Sequence, residues 1–293
     1  MSTYQRSDIP LYLWPIIGGL FFAIIALFPS KYLEYQLDKK RLETFAQEKS
    51  PNCLQIIALG SSRTQCGVFF DQKMESLYAS LYPSQIHFLR FTKSGAIFSA
   101  FESIFAEILA VRPDLILLEP EMLFYKKKDS HFSLLNYLNT KQRAFYLITS
   151  SGKKKYQEEQ EKELNKGFLG VRQTKEVLEH VQFLKSFLLS ESIAPSVDQF
   201  LKKAKEQGVR LILLDFPRSK IIEDELEEKR RLEKLAIAHC QNTYGMEVWT
   251  FNLPESNDSW YLDFGHFNER GQEQFSAWLI EAIASVEQVH DLL

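Results

Sequence analysis

Apolar residues fall into three kinds of run along this chain. The first is continuous. From Ile9 to Ser30 no residue is charged, and Leu11 to Phe28 reads LYLWPIIGGLFFAIIALF. A helix of that length can cross a hydrocarbon core of roughly 30 Å. Tyr12 and Trp14 stand at one end, where interfacial aromatics belong. A cleaved signal peptide is the alternative, but Ala26-Leu27-Phe28-Pro29 offers no clean small-x-small site. A buried core helix is a third reading, although nothing else in the chain is this apolar. The pattern predicts a retained transmembrane anchor over 1–30. Residues 31–52 are polar, with Tyr32, Leu33, Tyr35, Leu37, Leu42 and Phe45 at near-helical spacing. They read as a juxtamembrane helical stalk, which Pro51 and Asn52 break.

The second kind of run is short and reads as buried strand: Leu54 to Leu59, Ile86 to Phe91, Leu115 to Leu118, Val209 to Phe216 and Glu247 to Phe251. The third kind has helical spacing. Ala96 to Val111 carries Phe98, Phe101, Phe105, Ile108 and Leu109 on one face. Val197 to Gln207 is closed by Gly208 as a C-cap, Glu223 to Tyr244 by Gly245. Phe267 to Val286 is the last. Strands alternating with helices predict an α/β fold: a parallel sheet covered on both faces, over residues 53–293.

The span from Phe124 to about Ala194 breaks this alternation. Lys126-Lys127-Lys128, Lys153-Lys154-Lys155 and the charged run Glu158 to Glu163 read as solvated helix faces or loops. Aromatics interleaved among them, such as Phe132, Tyr137 and Phe168, suggest partial docking on the core. The span is an insertion at 124–194, either a lid or partner surface or a structural excursion without chemistry.

Composition adds limits. The chain has 293 residues and a formal charge of -3, which gives no reason to expect nucleic acid. Cys53, Cys66 and Cys240 show no metal-ligand spacing and no disulfide framework, although one bridge stays open to them. Cys66, four residues after Ser62, reads as small-residue packing.

Candidate chemistry lies at strand ends, where open α/β sheets bind ligands. Ile56 to Leu59 leads into Gly60-Ser61-Ser62-Arg63-Thr64. Gly-Ser-Ser can be a turn with a helix N-cap. A serine there can also act as a nucleophile, with its own N–H directed at a developing oxyanion. Near the C-terminus stands Asp263-x-x-His266-x-Asn268-x-x-Gly271. His266 can serve as general base with Asp263 orienting it. Each also has a dull role: a satisfied histidine at a helix start, an N-cap aspartate and a cap-region asparagine. Gly95 follows the second strand and is at least a turn glycine. Arg63 can bind an anionic group, pair with Glu119 or Glu121, or lie on the surface. Lys93 and Arg218 also lie at strand ends, and Asp215-Phe216-Pro217-Arg218 reads as a pocket rim.

Together these segments resemble the first and last blocks of the SGNH/GDSL hydrolase superfamily, in order over about residues 53–285. The resemblance implies a three-layer α/β/α sandwich with a flavodoxin-like sheet. It implies a serine acyl-ester hydrolase or O-acyltransferase with Ser62 as nucleophile, His266 as base and Asp263 as its partner. Gly95 matches the second-block glycine, so the N–H groups of Ser62 and Gly95 would hold the oxyanion. Gly-Ser-Ser, in place of the usual Gly-Asp-Ser, is similar to the membrane-anchored branch that includes polysaccharide O-acetylation proteins and the D-alanine transfer protein of teichoic acid. That branch implies an acyl donor, a glycopolymer acceptor and a multi-spanning membrane acyltransferase as partner, with no metal and no organic cofactor. The chain departs from the third block, usually Gly-x-Asn-Asp. It reads Leu118-Glu119-Pro120-Glu121. Glu119 is acceptor-only when ionised, so it would bind a substrate hydroxyl, hold Arg63 or cap the strand end. The departure keeps a second reading in view: a catalytically weak or inactive accessory protein. A lipid or thioester hydrolase at the membrane surface is a third.

Charge and resemblance disagree on orientation. Arg6 precedes the anchor; Lys31, Lys39, Lys40 and Arg41 follow it, diluted by Glu34 and Asp38. The positive-inside rule alone places the main domain in the cytoplasm, whereas the resemblance places it outside. Large domains translocate largely regardless of charge, so the expected location is periplasmic or extracellular. A C-terminal reporter that works only after export should be active. Activity confined to a cytoplasmic reporter overturns this expectation.

Overall fold

The structure, a computed structural model, describes residues 30–50, 53–93, 97–126, 188–189, 192–252, 258–263 and 265–290. The expected anchor lies outside them. No helix among the described residues is long and apolar enough to cross a membrane. In chain order the elements are α1 (Ser30–Gln47), β1 (Cys53–Gly60), α2 (Ser62–Gly67), α3 (Asp71–Leu81), β2 (Gln85–Thr92), a 3-10 turn (Phe98–Ile104), α4 (Phe105–Val111), β3 (Leu115–Leu118) and α5 (Pro120–Phe124). Then come β4 (Tyr125–Lys126), β5 (Leu188–Leu189), α6 (Pro195–Glu206), β6 (Arg210–Asp215), α7 (Lys220–Glu225), α8 (Glu227–Tyr244), β7 (Glu247–Thr250) and α9 (Glu269–His290).

Five parallel strands make one sheet in the order β2-β1-β3-β6-β7. Counted among themselves, this is the 2-1-3-4-5 order of a flavodoxin-like sheet. Side chains alternate across it. Ile56 and Ala58 of β1, Phe88 of β2, Leu117 of β3 and Ile212 of β6 join one core with Met74 and Tyr78 of α3 and Phe275, Leu279 and Ile283 of α9. The other parity, including Ile57, Leu59, Ile116 and Leu213, is also buried. The second helical layer carries Phe98, Phe105 and Phe200, with the last two rings stacked at 4.2 Å. Helices thus cover both faces, which explains why the strands read as unbroken apolar runs.

Several boundaries moved for local reasons. The helix expected from Ala96 begins as a 3-10 turn and becomes α-helical only at Phe105. The expected helix at Glu223–Tyr244 is two pieces, joined at Leu226. Gly208 and Gly245 adopt φ of 79° and 70°, as C-cap glycines do. In α1, Leu42 and Phe45 are buried, and Arg41 reaches Asp71 at 2.9 Å and the Arg90 carbonyl at 2.9 Å. The last turns of the expected stalk therefore pack beside β2. Most of the 124–194 insertion lies outside the described residues. Its ends meet where Tyr125 and Lys126 pair antiparallel with Leu189 and Leu188. None of the three cysteines is in a disulfide among the described residues. Cys240 is buried, which pushes its thiol up to about 12.

Phe275 anchors the layer beneath the serine turn. It is fully buried and stacks on Phe216 at 4.4 Å, with Phe251, Phe267 and Trp278 around it. Phe275→Ala should cost about 3–5 kcal/mol of unfolding free energy. Urea denaturation of the full chain checks this; a loss below about 1 kcal/mol contradicts the packing described.

Candidate functional site

The site begins with a short helix. α2 has six residues, too few to be stable alone, so its position depends on what holds its ends. At its start Ser61 is the N-cap, and its Oγ accepts the Arg63 N–H at 3.2 Å. Glu119, just past β3, supplies the rest. Its Oε1 accepts the N–H groups of Ser61 and Thr64, each at 2.8 Å, and the Thr64 hydroxyl. Its Oε2 accepts the Ser61 hydroxyl at 2.7 Å. The Ser62 N–H has no acceptor among the described residues.

At the far end, three side chains collect the α2 carbonyls. Gln272 Nε2 donates to Gln65 and Val68, both at 3.3 Å, and Ser276 Oγ donates to Gly67 at 3.2 Å. Arg90 donates to Gln65 at 3.0 Å and also to Val68. Gln272 and Ser276 lie on α9, which follows the histidine. The two motif segments are thereby tied to each other.

The histidine segment is folded by its own motif residues. Asp263 Oδ1 accepts the N–H groups of Gly265 and His266, each at 2.8 Å. Asn268 caps α9 by accepting the Gly271 N–H at 3.1 Å, while its amide donates to the Ser259 carbonyl at 2.7 Å. A Cβ at Gly271 would stand 2.4 Å from the Trp260 carbonyl oxygen. That carbonyl also accepts the Asn268 N–H at 2.8 Å. Asn268 and Gly271 thus fold the turn that presents Asp263 and His266.

Ser62 and His266 meet across 204 positions of chain, with Ser62 Oγ 2.8 Å from His266 Nε2. His266 Nδ1 lies 2.8 Å from Asp263 Oδ2. A carboxylate only accepts, so Nδ1 carries the proton and Nε2 offers its lone pair to the serine hydroxyl. Burial would raise the Asp263 carboxyl. The hydrogen bond and charge of His266, with the two N–H donors, outweigh it and hold the group well below the usual range. Both side chains are one-quarter exposed, so the pair is open to a ligand.

Other expected site residues are placed differently. Glu119 is 2% exposed, and its bonds to Ser61 and Thr64 occupy both oxygens. It caps α2, and Arg63 is not among the groups bonded to it. Arg63 binds Glu121 and the carbonyls of Phe216 and Pro217, with 11% of its side chain exposed. Of the roles open to it, the structure shows the pairing with Glu121, and Arg63 clamps α2 to the loop after β6. Arg218, expected at a rim, is buried between Glu121, Glu233 and Glu223. The Lys93 ammonium donates to the Ala100 carbonyl at 2.9 Å. Gly95 lies outside the described residues. An open cavity of about 220 Å³, lined by Ile97, Phe98, Met122, Leu123, Ile193 and Val197 among others, lies against the segments after β2 and β3. Among the described residues no group of three or more His, Cys, Asp or Glu could hold a metal ion.

Gln272, Ser276 and Arg90 escaped the sequence reading, yet each left a trace. Gln272 and Ser276 interrupt the apolar face of α9 at helical spacing, and Arg90 interrupts an apolar strand. A polar group inside an apolar stripe has to find a buried partner.

No family model matches the chain, and no curated protein matches it. Solved structures similar to it include two that span most of the chain. One is described as a lipolytic protein of the G-D-S-L family from Desulfitobacterium hafniense DCB-2, at 9% identity over 78% of this chain and 98% of that chain, with a TM-score of 0.39. The other is TesA, at 10% identity over 77% of this chain and 97% of that chain, with a TM-score of 0.37.

The charged cluster behind Arg63 sets a pH dependence. Burial raises the Glu121 carboxyl, but Arg218 and Arg63 overcome this and bring it from 4.5 down to about 2. A depressed carboxyl contributes stability that is complete above the unfolded pKa and lost as pH falls through the folded one. The window here runs from 4.5 down to about 2. Thermal melts across it should show Glu121→Gln losing less stability than the parent as pH falls. The variant should already be weaker at pH 7, because two buried arginines lose their anion. Parallel curves for the two proteins refute this.

Proposed function

We propose that this chain is a serine acyl-ester hydrolase or O-acyltransferase. The observation that carries the reading is the hydrogen-bonded series Ser62–His266–Asp263, with 2.8 Å at each step. Ser62 Oγ attacks the acyl carbon while its proton passes to His266 Nε2. Asp263 stabilises the imidazolium that forms. The imidazolium then protonates the departing alkoxide, leaving an acyl ester on Ser62. A second hydroxyl, from water or from a sugar, is deprotonated by His266 and takes the acyl group. The open Ser62 N–H is one oxyanion donor. Gly95, by the motif resemblance, is the second.

Its proposed setting is the cell envelope, with the main domain outside the cytoplasm on the N-terminal anchor. The acceptor is proposed to be a polysaccharide or other glycopolymer, and the acyl group an acetyl supplied by a multi-spanning membrane acyltransferase. The uncharged run at 11–28 and the Gly60-Ser61-Ser62 motif support this setting. One observation favours a second reading, that of a weakly active accessory protein. Leu118-Glu119-Pro120-Glu121 offers no Asn where the motif resemblance calls for a side-chain donor. Losing such a donor costs on the order of 10²-fold or more in rate.

The full-length chain should release acyl groups slowly from an activated ester such as p-nitrophenyl acetate, whose leaving group needs less oxyanion help. Ser62→Ala should reduce that release to background, and mass spectrometry should find the acyl group on Ser62 in the parent. Equal turnover by parent and Ser62→Ala, with no acyl-enzyme, moves the assignment to the accessory protein.

A further inference from the structure

Glu119 makes no contact with His266 or Asp263, yet it organises the segment that carries Ser62. Its carboxylate closes the N–H groups of Ser61 and Thr64 directly. It holds the Ser61 hydroxyl, which in turn accepts the Arg63 N–H. Of the four N–H groups from Ser61 to Thr64, only that of Ser62 is left open. A capping box reaches a similar closure with a Glu or Gln at the third residue of the same helix. Here that residue is Thr64, and the carboxylate comes from the end of a neighbouring strand. Gly60 makes room for it. A Cβ there would stand 1.9 Å from Thr64 Oγ1 and 2.7 Å from Glu119 Oε1.

We propose that Glu119 is the positioning residue of the serine turn: one buried carboxylate, shared with Ser61, fixes where the Ser62 hydroxyl and N–H point. The proposal rests on Ser62 being the nucleophile. Ser61 and Glu119 are in contact at 2.7 Å and hold a single carboxylate between them. That arrangement predicts how the pair responds to substitution. Ser61→Asp alone sets two carboxylates against each other. Glu119→Gln alone keeps an oxygen for the Ser61 and Thr64 N–H groups but loses the charge and the acceptor for the Ser61 hydroxyl. Ser61→Asp with Glu119→Gln returns to one carboxylate across the same contact, because the new amide can donate to the new aspartate.

The test uses the full-length chain, an activated acetyl ester and a fluorophosphonate that labels nucleophilic serines. A shift of the reacting atom by about 1 Å can cost on the order of 10²-fold. Glu119→Ala should therefore lower kcat by about that factor with KM unchanged, and should slow fluorophosphonate labelling in parallel. A contact to the ester's own groups would instead raise KM and leave labelling alone; that outcome overturns the proposal. Ser61→Asp should lose as much as Glu119→Ala, and the double variant should recover at least tenfold over Ser61→Asp. Should Glu119→Ala fail to fold, that comparison decides the matter, since both of its members keep the Thr64 cap. A double variant no better than Ser61→Asp refutes the shared carboxylate. Parent turnover that survives Ser62→Ala sinks the underlying reading instead, and Ser62→Ala distinguishes the two failures.

Discussion

Everything at this site depends on holding a helix that cannot hold itself. Six residues form barely more than one turn, and the first turn of any helix costs more entropy than its bonds return. α2 is therefore fixed from outside. Glu119 fixes its start, while Gln272, Ser276 and Arg90 fix its end. The anchors come from the end of β3, from α9 and from β2. A serine placed this way inherits the rigidity of the sheet without belonging to it.

The same arrangement explains why two segments 204 residues apart can share hydrogen-bond geometry. α9 packs its apolar face against the sheet through Phe275, Leu279 and Ile283. Its buried polar residues grip α2, and its N-cap Asn268 folds back the turn that carries Asp263 and His266. Position along α9 thus sets the distance between His266 and Ser62. On the opposite side, Arg63 ties α2 to the loop after β6 and to Glu121. Glu121 also holds Arg218, so losing this one carboxylate takes an anion from two arginines at once. The charged cluster works as scaffold.

The sheet was legible because its strands are buried on both faces. Such strands show as unbroken apolar runs, and all five were located to within a residue or so of their ends. Ser62, His266 and Asp263 stood out because each follows an apolar run and sits in a recognisable local pattern. Glu119 and Arg63 stay open between several roles because a charged residue at a strand end looks the same in sequence whether it faces a ligand or the interior. Partner geometry decides between these, and the partners lie 58 positions apart in both cases. α3 was missed for another reason. Only Met74 and Tyr78 of its residues are buried, and two apolar contacts over three turns leave a faint periodicity.

The disposition of charge bears on what the site can accept. Arg63 follows Ser62 directly, Arg218 comes from the loop after β6, and both are committed to Glu121. Lys229 is buried with the same group, and burial brings its ammonium down to about 8 against the pull of Glu121 and Glu233. On the α8 side, Arg230 is spent on Asp215, Glu223 and Glu233. A phosphate or carboxylate drawn to Arg63 or Arg218 would have to take that arginine from a buried partner and leave that carboxylate uncompensated. Doing so costs several kcal/mol, more than one new ion pair at a partly exposed site returns. A neutral ester asks for no such exchange. It needs the serine, the histidine and backbone donors, and the Ser62 N–H stands open for it. If Ser62 is the nucleophile, the pairing of these cations leaves Arg63 and Arg218 no part in drawing an anionic ester to it. The nearby positive charge then serves to hold the turn in place.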